Sequence, residues 1–528
     1  TSDTTTMLII VAGLVTLAFV VKSLGSIAFR WWLLGRTTRI SALSASELMR
    51  RYVLAPYSAH RTRSVSTIFR NITDATSQAT SVLLAVISLC TDMITTVAVL
   101  AVLLFTAPLP ALFTVALFGL FVFGVQRALR RRQLVLGEEQ ADSSLMGWQA
   151  LMPGIEGFRE TRLTSSASMF VERFKSAKLR GASIARQMGI MSDIPRYLLD
   201  VVFIIAIIGM AAIMTLLGEQ AQIITVLGVF AAASLRVLPI LTRATANLAT
   251  MRTGNAGLRI LVDVLDELRT EGAYEEQPQS GERFDGDIEL RRVSFRFPDA
   301  DELVLDNVSL TIPHHQTTAF VGSSGAGKST LLDLTLGLLD PTSGEVLSGG
   351  RSIAQDLAAW HATLGVVPQD VYLINQTLAE NIAFGVQTDM IDYERVREVV
   401  RLAMLEELVA QLPDGLGTLV GDRGVRISGG QRQRVGLARA LYRNPRVLIL
   451  DEATSALDNA TEYEIAQTLN GLQGTMTIVI VAHRLSTVRS VDRLHYLRKG
   501  RVAASGTFEE VRAADAEFAR LVELGSLD

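Results

Sequence analysis

The sequence predicts a bundle of membrane-crossing α-helices with long extensions beyond the bilayer, followed by a separate α/β domain organised around a phosphate-binding loop. Three observations carry this. Not one charged residue lies between Met93 and Gln126. Mean hydropathy is +0.32 over 528 residues, higher than a soluble globular chain of that length reaches. A short apolar run, Thr317 to Val321, leads directly into a glycine-rich loop that ends in Lys328-Ser329.

The membrane half parses by charge and proline. A span needs about 20 apolar residues, so the stretch from Met93 to Gln126 is too long for one helix. Pro108 and Pro110 interrupt it, and Thr106 to Pro110 is expected as a tight hairpin between two spans. Three more apolar runs cover residues 7–34, 198–217 and 222–242, which makes five spans. Arginines crowd the segments after the first and third spans (Arg36 to Arg70, Arg127 to Arg132), whereas the loops around Pro108 and Glu219 carry neither Lys nor Arg. The positive-inside rule places the arginine-rich segments in the cytoplasm and the short loops outside. Five spans then put Thr1 outside and the C-terminal domain in the cytoplasm, and no signal peptide is visible, so a first helix of six is expected upstream of Thr1. Most intervals between prolines are about 40–50 residues, or 60–75 Å of helix against a hydrocarbon core of about 30 Å. The helices are therefore expected to project far into the cytoplasm, with turns near Pro56 and between Pro153 and Phe174 at their tips.

Composition changes after this half. Residues 1–265 hold nearly all the long apolar runs. Residues 266–283 are acidic, contain Gly272, Pro278 and Gly281, and are expected as a linker. Residues 284–528 alternate short apolar runs with turns, as an α/β domain does. The net charge of −3 argues against a nucleic-acid partner. The single cysteine, Cys90, excludes an internal disulfide framework and a cysteine-cluster metal site.

The loop Gly322-Ser323-Ser324-Gly325-Ala326-Gly327-Lys328-Ser329, with Thr330 opening a helix, is a complete P-loop in strand–loop–helix context. Glycines let backbone N–H groups wrap phosphates, and the helix N-terminus adds positive potential. Lys328 reaches the β- and γ-phosphates and Ser329 ligates Mg²⁺, so ATP and Mg²⁺ are the expected cofactors. A second apolar run, Val447 to Leu450, delivers Asp451 and Glu452 at its end. Asp451 suits a Mg²⁺ ligand, and Glu452 suits polarisation of the attacking water.

Between these motifs, Ile427-Ser428-Gly429-Gly430-Gln431 resembles the signature of the ATP-binding-cassette family, with Ile in place of the usual Leu. The resemblance extends to a Q-loop at Gln369, a D-loop at Ser455-Ala456-Leu457-Asp458 and a switch histidine at His483. Phe297 stands where the family stacks an aromatic ring on adenine. The resemblance implies an ATP-binding-cassette P-loop NTPase domain that hydrolyses ATP. It implies cassettes paired head to tail, with Ser428 and Gly430 of one contacting the γ-phosphate held by Lys328 of the other. It also implies that Gln369 senses Mg²⁺ and that His483 holds the γ-phosphate. Glu452, His483 and Ser428 are all present, which permits a homodimer of two half-transporters.

Spans on the same chain as the cassette exclude a soluble mechanical ATPase. Gly421 to Gly424 resembles the cross-linking loop of exporters, which favours export, with an exporter-fold importer as the lesser alternative. In the membrane half, Arg51 to Tyr57, Gly154 to Phe158, Ile194 to Arg196 and Leu235 to Pro239 are similar to segments of bacterial lipid-linked oligosaccharide flippases, with Asp200 where Glu is usual. The resemblance implies a multi-pass protein of the bacterial cytoplasmic membrane that moves an amphipathic, anionic lipid-linked saccharide; a multidrug, lipid or peptide exporter is the alternative. Lys22, Asp92 and Arg236 each fall roughly 20–25 Å from the outer helix ends. Charges at that depth face a cavity or a partner. Two readings follow: an anion-recognition set, or Asp92 neutralising Lys22 or Arg236.

Overall fold

The computed structural model describes residues 2–106, 108–216, 223–271, 282–421, 424, 426–451, 467, 469, 471–482 and 488–524. The chain divides into a helical unit up to Tyr274, apart from Pro56 to Ser58, and a mixed α/β unit from Glu275 onward.

The helical unit is built from α1 (Ser2–Val53), α2 (Tyr57–Thr62), α3 (Val65–Arg70), α4 (Thr76–Thr106), α5 (Pro108–Glu156), α6 (Phe158–Leu163), α7 (Ala167–Leu216), α8 (Ile223–Thr253) and α9 (Asn255–Glu271). Five of its helices are long and apolar enough to cross a membrane. α1, α5 and α7 contain 52, 49 and 50 residues. At 1.5 Å per residue they reach about 75 Å, more than twice the hydrocarbon thickness. From Ile9 to Trp32, α1 is exposed along its whole apolar length within this chain.

Proline placement differs from the sequence expectation. Pro108 opens α5 and Pro110 lies in its first turn, so the break between α4 and α5 is shorter than Thr106 to Pro110. A proline in the first turn lacks only an N–H that has no helical partner there. Pro195 and Pro239 lie inside α7 and α8 and end neither helix. Packing of α7 and α8 against each other and against α5 holds the helices through the lost hydrogen bonds. Its centre is Phe230, fully buried, with ring centroids 6.2 Å from both Phe113 and Phe203.

Gly137 permits a close crossing of α5 and α8, because a Cβ there meets the Thr253 carbonyl oxygen at 2.2 Å. The helix α9 runs to Glu271, beyond the expected linker start at Asp266. Val264 and Leu268, four residues apart on one face, are buried with Leu48 and Tyr52 of α1, and this apolar stripe carries the helix past its acidic residues.

In the α/β unit, a six-stranded sheet has the order β10–β9–β3–β8–β7–β6, with β3 Thr317–Val321, β6 Leu364–Val367, β7 Val447–Asp451, β8 Thr477–Val481, β9 Arg493–Arg498 and β10 Arg501–Gly506. All neighbours in it are parallel except the β9–β10 edge hairpin. β3 and β8 are buried at every position, the pattern of central parallel strands covered on both faces. A four-stranded antiparallel sheet contains β1 (Ile288–Phe295), β2 (Leu305–Ile312), β4 (Ser343–Ser348) and β5 (Arg351–Ser352) in the order β2–β1–β4–β5. His495 of β9 ties the two sheets together. Its Nε2 donates to the Thr311 carbonyl (3.1 Å), which leaves Nδ1 to accept from the Ser505 hydroxyl (2.7 Å).

Candidate nucleotide site and the membrane charges

Strand direction gathers the chemistry. β3, β6, β7 and β8 are parallel, and their carboxyl ends lie on one edge of the sheet. Register sets Val367 beside Leu450, Asp451 beside Val481, and Val481 beside Phe320. The residues that follow these strands therefore converge: the Gly322 loop after β3, Gln369 after β6, and Asp451 as the last residue of β7. Glu452 and His483 come next in sequence after this edge, and both lie outside the described residues, as does Asp458. The carboxyl edge of an open parallel sheet is where such folds bind ligands.

The loop itself is shaped by glycine. Gly325 and Gly327 have φ of +79° and +99°, which L side chains rarely adopt. Gly327 caps α10 (Lys328–Thr335) in the left-handed conformation, and a Cβ on it would lie 2.7 Å from Leu305 Cδ2. Lys328 is buried, and its Nζ donates to the carbonyls of Gly322 (2.6 Å) and Ser323 (3.3 Å), so the ammonium sits inside the curl of the loop. Ser323, Ser324 and Ser329 are accessible, whereas Ala326 and Thr330 pack inward. Phe297 is half-buried beyond β1 and edge-on to Phe295 at 4.9 Å between centroids, and both Phe297 and Val304 pack against the core cluster that contains Phe295. Val304 adjoins Gly327 from the other side, its carbonyl 3.3 Å from the position of a Gly327 Cβ. Phe297 and the phosphate loop thereby share one core cluster, to which Ala326 of the loop belongs.

Ser428 belongs to a different element, the start of a helix. It caps the helix Gly429–Tyr442 through a reciprocal box: Gln431 N–H donates to Ser428 Oγ (3.2 Å) and Ser428 N–H donates to Gln431 Oε1 (2.8 Å). Ile427 is buried in the hydrophobic core, and this is the physical role of an apolar residue before the cap. Among the described residues, no hydrogen bond joins Ser428, Gly429 or Gly430 to the phosphate loop.

The membrane charges are arranged differently from the sequence expectation. Asp92 on α4 is buried, and neither Lys22 nor Arg236 pairs with it. Arg243, one turn beyond Pro239 on α8, donates from Nε (3.2 Å) and Nη2 (2.9 Å) to Asp92 Oδ1. The pairing corrects the reading of Asp92 as the counter-charge of Lys22 or Arg236. Seven residues separate Arg243 from Arg236, so both lie on one face of α8. Arg236 and Lys22 are exposed, and the Lys22 ammonium lies 5.7 Å from the Phe19 ring. Sequence reasoning also missed Arg252, whose Nη1 binds the buried amides Gln126 (2.6 Å) and Gln133 (2.9 Å). It missed Asn381 and Arg439 as well, which brace the segment after Gln369. Arg252 and Arg439 depend on partners far away in sequence, which no local spacing marks, and Asn381 bonds the turn just before it.

Residues 305–455 match the family description "ABC transporter". The chain is 31% identical over 499 residues to an ATP-dependent lipid A-core flippase of Cupriavidus pinatubonensis, covering 92% of this chain and 82% of that protein. It is 33% identical over 445 residues to a protein of the same name from Cupriavidus metallidurans, covering 82% and 73%. Among solved structures it is similar to a bacterial Atm1-family ABC exporter with ATP bound: TM-score 0.79, 25% identity, 92% of this chain and 85% of that one.

Proposed function

The chain belongs to the ATP-binding-cassette exporters, multi-pass membrane proteins that couple ATP hydrolysis to transport, and we propose that it is a flippase for an amphipathic, anionic lipid-linked saccharide. The reading rests chiefly on one observation: lipid A-core flippases align with both the helical unit and the cassette, over 92% of the chain. Residues 1–265 form the transmembrane domain, 266–283 lead out of it and 284–528 form the nucleotide-binding domain. Two copies pair in the bacterial cytoplasmic membrane with their cassettes in the cytoplasm, and transport is outward by alternating access.

Each residue at the carboxyl edge of the sheet has a task. Phe297 stacks on adenine. The Gly322–Thr330 backbone and Lys328 hold the phosphates. Ser428 to Gln431 of the opposite subunit close over the γ-phosphate, with Asp458 beside them. Ser329, accessible in the first turn of α10, and Asp451, at the end of β7, are hard oxygen donors; with phosphate oxygens and water they fit Mg²⁺, which takes few protein ligands. Mg²⁺ when bound neutralises charge on the β- and γ-phosphates. Gln369 orients toward that charge, Glu452 accepts a proton from water, and His483 steadies the γ-phosphate. Lys22 and Arg236 offer positive charge to an anionic headgroup, doubled by the dimer.

One reconstitution tests both halves. In proteoliposomes, Glu452→Gln should lower ATPase to under about one-hundredth of wild type, in line with losing a proton-transfer group. Arg236→Gln should remove the stimulation of ATPase by an anionic lipid-linked saccharide. Full turnover in the first variant, or full stimulation in the second, refutes the corresponding role.

A further inference from the structure

Between Gln369 and the helix Leu378–Ile382 the chain folds into a braced segment. Asn381 is fully buried. Its Nδ2 donates to the carbonyls of Ile374 and Thr377 (both 3.0 Å), and its Oδ1 accepts from Ile374 N–H (3.0 Å). Thr377 and Glu380 add a capping box. Such a closed polar network moves as a unit.

Arg439 spans from the helix that Ser428 caps to both ends of this segment. Its Nε donates to the Asn381 carbonyl and its Nη1 to the Tyr372 carbonyl, each at 2.9 Å. The guanidinium lies 4.7 Å over the Phe384 ring, and its Nη2 is buried with no hydrogen-bond partner among the described residues. Tyr372 is three residues past Gln369. Ser428 is eleven residues before Arg439, or about 17 Å along a continuous helix. The guanidinium fork is thus a direct polar tie between the segment that follows Gln369 and the body of the helix whose tip is Ser428.

We infer that Arg439 is a positioning residue that makes the Gln369 segment and the Ser428 helix move as one body, so that nucleotide sensed at Gln369 sets where the opposite γ-phosphate finds Ser428. The inference rests on the roles proposed above for Gln369 and Ser428. Arg439 touches no nucleotide; it acts through the carbonyls of Tyr372 and Asn381. A lysine cannot replace it, because one ammonium does not match a planar fork directed at two carbonyls and stacked on a ring.

The test is steady-state Mg-ATP hydrolysis by the full chain in proteoliposomes. Arg439→Lys lowers kcat about tenfold and leaves KM for ATP within about twofold, the pattern of a loss confined to the committed state. Gln369→Ala lowers kcat similarly, and the double variant is no slower than Gln369→Ala alone, because both lesions break one linkage. Arg434→Lys is the control: its guanidinium anchors the same helix to the Met404 carbonyl (2.8 Å), away from the Gln369 segment, and kcat stays within about twofold. Unchanged kcat in Arg439→Lys overturns the inference, as do losses that multiply in the double variant or an equal loss in Arg434→Lys. If Gln369→Ala retains full kcat, the reading of Gln369 falls and the inference with it. If only Arg439→Lys retains kcat, the site reading stands and the inference alone fails. Should Arg439→Lys not fold, Phe384→Leu weakens the same tie. A kcat loss that disappears in the Gln369→Ala background supports the inference, and one that persists overturns it.

Discussion

Neutralising Arg243 should destabilise the helical unit far more than neutralising Asp92, although the two form one ion pair. The side chains differ in exposure: 8% for Asp92 and 56% for Arg243. Asp92 Oδ1 takes both guanidinium bonds, and Oδ2 is buried with no hydrogen-bond partner among the described residues. Arg243→Gln leaves a buried carboxylate without its cation, a loss of about 3 kcal/mol or more. Since 1.4 kcal/mol is tenfold, the ratio of folded to unfolded protein should fall on the order of 100-fold. Asp92→Asn leaves an exposed arginine, which finds water or a phosphate headgroup, at a cost of about 1 kcal/mol or less. The double variant, Asp92→Asn with Arg243→Gln, places two neutral amides in contact and should recover most of the loss. Thermal unfolding of the detergent-solubilised full chain reads the series. Arg236→Gln serves as the internal reference, because Arg236 is exposed and has no ion-pair partner among the described residues, and it should melt with wild type. Equal destabilisation by Arg243→Gln and Asp92→Asn would refute the argument that burial of the carboxylate governs this pair.

Two further outcomes follow from the α/β unit. His495 is buried and its pKa is lowered to about 4 by desolvation, so the folded state binds its proton less readily than the unfolded chain does. Its stabilisation is complete above pH 6.5 and is lost as pH falls toward 4; His495→Gln should flatten the stability profile across that window, measured by denaturant unfolding at pH 7 and pH 5, and an unchanged slope would refute it. Gly327→Ala forces a Cβ against the buried Leu305 in a left-handed conformation, whereas a Cβ on Gly325 meets nothing within 4 Å. Both variants bear backbone strain of about 1–2 kcal/mol, but Gly327→Ala should unfold at clearly lower temperature without nucleotide, and equal melting would refute the packing argument.

Features written in contiguous residues are legible in the sequence itself. A charge-free run longer than one span has to be two helices, because lipid offers nothing to solvate a charge or an open backbone. The phosphate loop needs its glycines, lysine and serine next to each other, so its chemistry is local, and the strand before it and the helix after it are local as well. The signature serine caps its own helix with a residue three positions on. Tertiary structure decided what depends on meeting across the chain. Asp92 selects Arg243, 151 residues away, over the two cations that depth alone suggested, because helix rotation and crossing set which side chains touch. The strand order that brings Gln369, Asp451 and the phosphate loop to one edge is a matter of parallel pairing, which carries no local mark. Pro195 and Pro239 stay inside helices because neighbouring helices compensate for the missing hydrogen bonds, and α9 continues to Glu271 because Leu268 finds a buried place against α1. Local chemistry is a property of neighbours in sequence, whereas partner choice is a property of packing, and only the folded chain contains the second.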